Sequence, residues 1–235
     1  MRLVVVRHQA IGAQAHLMLL AALITVLAVQ PIFARTSGTV ALISDTAIGV
    51  ICLLIFLTLC QERWERHVGL VLFLLVLVAN GAVSALGGPS RDVAAFLFQA
   101  ALVLFLGFAI VVVVRLLTRT SIIHVRDVLG AVGGYILAAL AWSHLYALTY
   151  MLVPSAFSVS PDIAAQLQDW RLRRTLLDHL SFTTLTSIGY SDITPVGSPL
   201  YALMWTETIF GQFYMAVVVA QLVGLKLAQS LKSER

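Results

Sequence analysis

Long apolar runs constrain this chain more than any other feature of its sequence. A helix that crosses the bilayer core needs roughly 20 predominantly apolar residues. Six stretches meet that requirement: 17–34, 42–60, 68–86, 93–115, 128–153 and 199–225. Only 11% of the 235 residues are charged, whereas average soluble domains carry about 25%. The sequence therefore predicts an all-α membrane protein with six transmembrane helices.

The distribution of Lys and Arg between these runs predicts the orientation of the chain. Cytoplasmic loops carry an excess of both residues, and here ten lie on one predicted side and five on the other, which includes 154–198. We therefore expect a multi-pass protein of the cell membrane with both termini in the cytoplasm. The basic residues form short clusters beside the apolar runs, so we expect membrane lipid as a partner and no nucleic acid.

The N-terminus also permits a second interpretation. Arg2 and Arg7 precede an apolar run from Leu17 to Val29 and then Ile32-Phe33-Ala34, which is the order of a signal peptide and its cleavage site. An uncleaved first span agrees better with the charge distribution, because an even number of spans places both termini on one side. The mass of the intact protein distinguishes the two interpretations.

The segment 154–198 differs from the apolar runs on either side of it. Pro154 ends the fifth run, and Ser160-Pro161-Asp162 is typical of a helix start. We expect a short amphipathic helix over 163–170, lying at the outer surface of the membrane.

A second short helix is predicted after it. Thr175 and Asp178 have the spacing of a capping box, and the helix that they open ends near Leu185 or Thr186. At about 11 residues it is roughly 16 Å long, so it enters the membrane without crossing it. A helix that descends from outside points its negative dipole end toward the membrane centre, which favours a cation there.

The nine residues 184–192 follow, with the sequence Thr-Leu-Thr-Ser-Ile-Gly-Tyr-Ser-Asp. Non-helical backbone at membrane depth persists only where protein buries it or where it lines a water-filled path. Carbonyl oxygens face one axis in succession only if right- and left-handed backbone conformations alternate, and Gly189 suits a left-handed position. Since one chain offers one oxygen per level, a coordination ring requires several subunits.

This string resembles the signature loop of tetrameric potassium channels, whose usual form is T-x-T-T-V-G-Y-G-D. The following Ile193-Thr194-Pro195 also resembles the family, and Gly211, 22 residues after Gly189, occupies the position of its hinge glycine. The resemblance is close over about 175–225 and extends to the first four spans only in number and topology. It implies a homotetramer that conducts K⁺ passively.

The resemblance also implies roles for individual residues. Oxygens that coordinate the permeant K⁺, the only metal ion expected, come from Ser187, Ile188, Gly189 and Tyr190. Supporting positions are Thr184, Thr186, Ser191 and Asp192, with Asp192 bracing the outer mouth. Gly211 is the gating hinge, and no cofactor is implied.

Two residues depart from the family pattern. Ser187 replaces a Thr and keeps its hydroxyl, whereas Ser191 replaces the second glycine. A non-glycine residue in the left-handed conformation costs roughly 1–2 kcal/mol, in every subunit. We therefore predict a strained, rearranged or mobile outer end of the filter and gating that resides partly there. The same position bears on conduction stability and on K⁺ over Na⁺ selectivity.

Glu207 is an ionisable residue inside the last apolar run, about one turn before Gly211. Such a residue is a functional candidate by default. We expect it to support the filter by accepting hydrogen bonds from Thr183 or Thr184, or from Ser143 or His144. Its role is either a proton-sensitive brace or a satisfied packing contact.

The fourth run has no charged residue between Val93 and Val114, and Gln99 is its only strongly polar side chain. A voltage sensor needs several Arg or Lys residues along one helix face. We therefore expect a four-span domain over 1–126 without gating charges, a pore domain over 127–235, and no strong voltage gating. Arg115 is expected to anchor the helix at the membrane interface.

Three alternatives remain beside a potassium-selective channel. A weakly selective cation channel shares the same fold, and a non-conducting regulatory subunit shares the same sequence pattern. An intramembrane hydrolase would use Ser191, His144 or His179, and Asp192, but no G-x-S-x-G elbow supports it. We therefore predict that the protein is not an enzyme.

Overall fold

The computed structural model describes residues 17–18, 20–25, 27–28, 49, 53, 56, 60, 62–119, 125–189 and 191–233. Part of the predicted span 17–34 and most of the predicted span 42–60 lie outside these residues, as do both termini and Tyr190. The signal-peptide interpretation and the role of Tyr190 therefore stay predictions.

Three long helices coincide with the predicted third, fourth and fifth spans. They are α1 (Arg63–Ala85), α2 (Gly88–Arg119) and α3 (Val125–Leu152). Among the described residues, three helical stretches are long and apolar enough to cross a membrane: Arg63–Ala85, Gly88–Leu116 and Val128–Leu152. The chain is thus a mostly helical membrane protein.

The segment after α3 contains short elements and ends in a long helix. A 3-10 turn over Pro154–Ala156 leads to β1 (Phe157–Ser158), α4 (Pro161–Gln168), α5 (Trp170–Leu185), β2 (Thr194–Pro195) and α6 (Ser198–Ser233). The two strands are antiparallel, with Phe157 opposite Pro195 and Ser158 opposite Thr194. This pairing brings the chain before α4 beside the chain that follows the nine-residue string.

The helix start at Ser160 is confirmed, because the Ser160 hydroxyl accepts a hydrogen bond from the Ile163 N–H at 3.4 Å. The predicted capping box at Thr175 is wrong. α5 begins five residues earlier, where the Asp169 carboxylate accepts from the Leu172 N–H at 3.4 Å. With 16 residues, α5 is about 24 Å long, still shorter than a bilayer core of about 30 Å.

α3 lies at the centre of the described fold. It packs along α2 on one side and against α5 and α6 on the other, while α1 packs along α2. Arg115, predicted to anchor α2, lies 3.4 Å from the Glu65 carboxylate and 5.4 Å from the ring centre of Trp64. These contacts join the start of the α1 span to the end of the α2 span.

Candidate functional site

The C-terminal turn of α5 folds back on itself to begin the nine-residue string. The Ser187 N–H donates to the Thr184 carbonyl at 2.9 Å. The N–H groups of Ile188 and Gly189 both donate to the Thr183 carbonyl, at 2.9 and 3.1 Å. These bonds satisfy carbonyls that a helix end otherwise leaves without partners.

Two residues of this turn have left-handed backbone conformations. Gly189 has φ 74°, as its sequence position suggests, and Ser187 has φ 59°, which the sequence did not indicate. A side chain in this conformation costs roughly 1–2 kcal/mol. The left-handed residues lie on either side of Ile188, and all three residues are exposed in the single chain.

Both neighbouring long helices, α3 and α6, contact the end of α5. The Tyr135 hydroxyl of α3 donates to the Leu185 carbonyl at 3.0 Å. On the other side, α6 approaches at Gly211, where a methyl group would lie 2.2 Å from the same carbonyl oxygen. Glycine is therefore required at position 211 for close packing, whether or not α6 also bends there.

α6 contributes two further polar contacts from the same face. Gln212 donates from Nε2 to the Ser187 hydroxyl at 2.8 Å. The Thr208 hydroxyl, which donates to the Met204 carbonyl of its own helix at 2.8 Å, lies 3.5 Å from the Thr184 carbonyl. Residues three and four apart on a helix lie on one face, so Thr208, Gly211 and Gln212 together form the surface of α6 that meets the turn.

Glu207 is fully buried between three helices. Its carboxyl group contacts the Ser181 hydroxyl of α5 through Oε1 and the Tyr146 hydroxyl of α3 through Oε2. Tyr146 also has a side-chain hydrogen bond with Thr184. The expected partners of Glu207 were also on α5 and α3, but they were different residues. The observed partners, Ser181 and Tyr146, lie within one helical turn of them.

The contacts of the Ser181 hydroxyl are compatible with a protonated Glu207. The Ser181 hydroxyl lies 2.7 Å from the Ala139 carbonyl as well as against Glu207. A serine hydroxyl carries one proton, and the Ala139 carbonyl can only accept. If Ser181 donates to Ala139, a protonated Glu207 that donates to Ser181 satisfies all three oxygens. A neutral carboxylic acid also avoids the cost of a buried charge.

Ser143 and His144, the other expected partners of Glu207, make different contacts. Ser143 donates to the buried Asp178 carboxylate of α5, and His144 Nδ1 lies 2.6 Å from the Gln99 side-chain oxygen of α2. These two residues therefore connect α3 to α5 and to α2.

Local hydrogen bonds hold both ends of the string. The Ser191 hydroxyl accepts from the Ile193 N–H at 3.1 Å. The Thr186 hydroxyl donates back to the Phe182 carbonyl at 2.6 Å. Asp192 is exposed and lines an open groove together with Asp178 and His179. The predicted strain at Ser191 depends on the position of Tyr190 and stays a prediction.

Sequence reasoning did not identify Tyr135, Tyr146 or Ser181 as parts of this site, and it did not assign Gln212 a contact with the string. For the residues on α3 and α6, the signal is a hydrogen-bonding group inside an otherwise apolar helix, whereas Ser181 lies among the polar residues of α5. That signal shows that a partner is needed, but the partner itself follows from how α3, α5 and α6 pack.

Residues 162–225 match a family model described as an ion channel. This match supports an ion channel family. The matched segment begins in α4, contains α5 and the nine-residue string, and ends in α6. Tyr135 and Tyr146, the residues that α3 contributes to the site, lie outside it. The match also implies a channel rather than an enzyme. No curated protein and no solved structure matches the chain.

Proposed function

We propose that the chain forms a potassium-selective pore as a homotetramer in the cell membrane, with both termini in the cytoplasm. The observation that carries the proposal is the turn after α5. There, a helix too short to span the bilayer ends in two left-handed residues, Ser187 and Gly189, within the segment that matches an ion channel.

The backbone hydrogen bonds suggest which oxygens face the ion. The carbonyls of Thr183, Thr184 and Leu185 already accept hydrogen bonds from donors in the same chain. The ion ligands are therefore assigned further along the string, to the Ser187 hydroxyl and to backbone carbonyls from Ser187 to Tyr190. Four subunits would place four such oxygens at each level, where they replace the hydration shell of K⁺.

The other residues of the site hold the string in place. Tyr135 of α3 and Gln212 of α6 donate to the turn. Thr208 lies against it, and Glu207 of α6 contacts both α3 and α5. The proposed role of Asp192 is to brace the outer mouth, where it is exposed. Conduction is passive, and several ions in line allow each to leave as readily as it enters.

A weakly selective cation channel is the second candidate. It is favoured by the serines at positions 187 and 191, since Ser187 adopts a left-handed conformation that glycine adopts without strain. Strain at either position would loosen the ring of oxygens and reduce the preference for K⁺ over Na⁺.

Reversal potentials of the purified protein in planar bilayers, with KCl on one side and NaCl on the other, distinguish these candidates. We expect a large shift toward the K⁺ equilibrium potential and a larger one in Ser191→Gly. A shift near zero would favour the weakly selective channel, and no current under any condition would favour a non-conducting subunit. The same recordings should show little voltage dependence, because α2 has no charge between Val93 and Val114.

A further inference from the structure

The side chain of Ser187 is less restricted in its χ1 angle than a threonine at the same position would be. The second γ-substituent of a threonine restricts its χ1 angle, whereas a serine hydroxyl can occupy three staggered positions. A side-chain oxygen serves as an ion ligand only when it is held toward the ion. Ser187 therefore needs another group to fix its hydroxyl if it contributes to the pore.

The structure provides such a group on α6. The Gln212 amide nitrogen lies 2.8 Å from the Ser187 hydroxyl oxygen, within the ordinary range for a hydrogen bond. Gln212 reaches this position because Gly211, beside it, lets α6 approach the end of α5 without a side chain in between. Both Gln212 and Ser187 are exposed in the single chain.

We propose that Gln212 is a positioning residue, which holds the Ser187 hydroxyl as an ion ligand at the inner end of the filter. A hydroxyl oxygen has two acceptor sites. One accepts from the Gln212 amide, and the second is free to face a dehydrated cation. This inference rests on the proposed function and extends it to the residue that sets the geometry of one ion site.

The test compares K⁺ over Na⁺ permeability ratios of full-length variants in planar bilayers. Gln212→Met keeps the side-chain length and removes the donor, and we expect it to lower the ratio about fivefold, the size expected from one hydrogen bond. Ser187→Thr in the Gln212→Met background should restore most of the ratio, because threonine fixes its own hydroxyl.

Two more variants complete the design. Gln221→Met makes the same change about 13 Å further along α6 and should leave the ratio unchanged. Gln212→Asn keeps the amide but shortens its reach, so it should also lower the ratio, and it replaces Gln212→Met if that variant does not assemble. Elution of every variant on size exclusion should match the wild type.

An unchanged ratio in both Gln212 variants would overturn the inference, as would a loss that Ser187→Thr does not restore. In either case a selective wild-type channel would leave the proposed function intact. A wild type that passes no cation current, or that does not discriminate between K⁺ and Na⁺, would overturn the proposed function and this inference with it.

Discussion

Gly211 shows how little space separates two helices at the site. Its missing side chain brings the backbone of α6 against the Leu185 carbonyl, where a methyl group would lie 2.2 Å from the oxygen and 3.1 Å from the carbonyl carbon. Since the obstructing atoms belong to the backbone of α5, a rotamer change cannot relieve the contact. Any larger residue must separate α6 from the end of α5.

Gly211→Ala should therefore destabilise the protein by about 1–3 kcal/mol, as overpacking in a close-packed interior does. Thermal unfolding in detergent, followed by circular dichroism, measures the effect. Gly224→Ala is the matched control, because a methyl group there meets no described atom within 4 Å. Alanine should be neutral or stabilising at that position, since glycine is a poor helix former.

The same experiment separates two roles of Gly211. A residue that serves only as a hinge would change channel opening in Gly211→Ala while the unfolding temperature stays at the wild-type value. That result would contradict the packing role. A lowered unfolding temperature would show that the glycine is needed for contact with α5, independently of any bending of α6.

At the scale of helices, α3 joins the parts of the molecule through polar contacts. It meets α2 through His144 and Gln99, and α5 through Ser143 and Asp178. Its Tyr146 joins it to α6 at Glu207. In an apolar environment an unpaired polar group is costly, so each pair fixes the register of the two helices that carry it.

Substitutions of Glu207 test this account of the helix contacts. In Glu207→Gln the amide nitrogen can donate to Ser181 while the amide oxygen accepts from Tyr146, as in the protonated acid. We expect stability within about 1 kcal/mol of wild type for Gln, and a loss of about 1–3 kcal/mol for Glu207→Leu, which leaves the buried Tyr146 hydroxyl without its acceptor.

Thermal unfolding measures these differences as well, with Thr206→Val as the control one residue away. Thr206 is exposed and its hydroxyl donates only to carbonyls of its own helix, Ala202 and Leu203, so its loss should have little effect. Equal unfolding temperatures for Glu207→Gln and Glu207→Leu would contradict the hydrogen-bonding role of Glu207.

Hydropathy predicted the described long helices and placed the start of α6 within one residue, but it did not predict where the other three begin. Each of α1, α2 and α3 starts three to five residues before the predicted span, because helices continue into the interface, where residues such as Arg63 and Arg91 are tolerated. α5 starts early for a different reason, since Asp169 caps it in place of Thr175.

The string 184–192 and the buried Glu207 were recognisable from the sequence because polar residues are rare in such a chain. Their partners depend on packing that no local pattern specifies.

At the scale of the whole molecule, the proposed pore requires copies of the chain to meet around the exposed string. An apolar stripe on α6 is also exposed in the single chain. It consists of four residues spaced four apart: Trp205, Ile209, Phe213 and Val217. Apolar side chains contact lipid at no cost, so exposure alone does not show that subunits meet there. The stripe adjoins Gln212, which contacts the string, and we therefore place it at the contact between subunits.

Replacing Val217 by a larger residue tests that placement. Val217→Trp should weaken assembly roughly tenfold, since overpacking costs about 1–3 kcal/mol, and native mass spectrometry in detergent should show fewer particles with four copies of the chain. Val78→Trp on α1 is the matched control, because Val78 is similarly exposed, at 70% against 58% for Val217, and a tryptophan there should contact detergent freely. A wild type that does not form tetramers would contradict the proposed assembly. Equal tetramer fractions in both variants would instead place the α6 stripe against lipid, with the subunits meeting elsewhere.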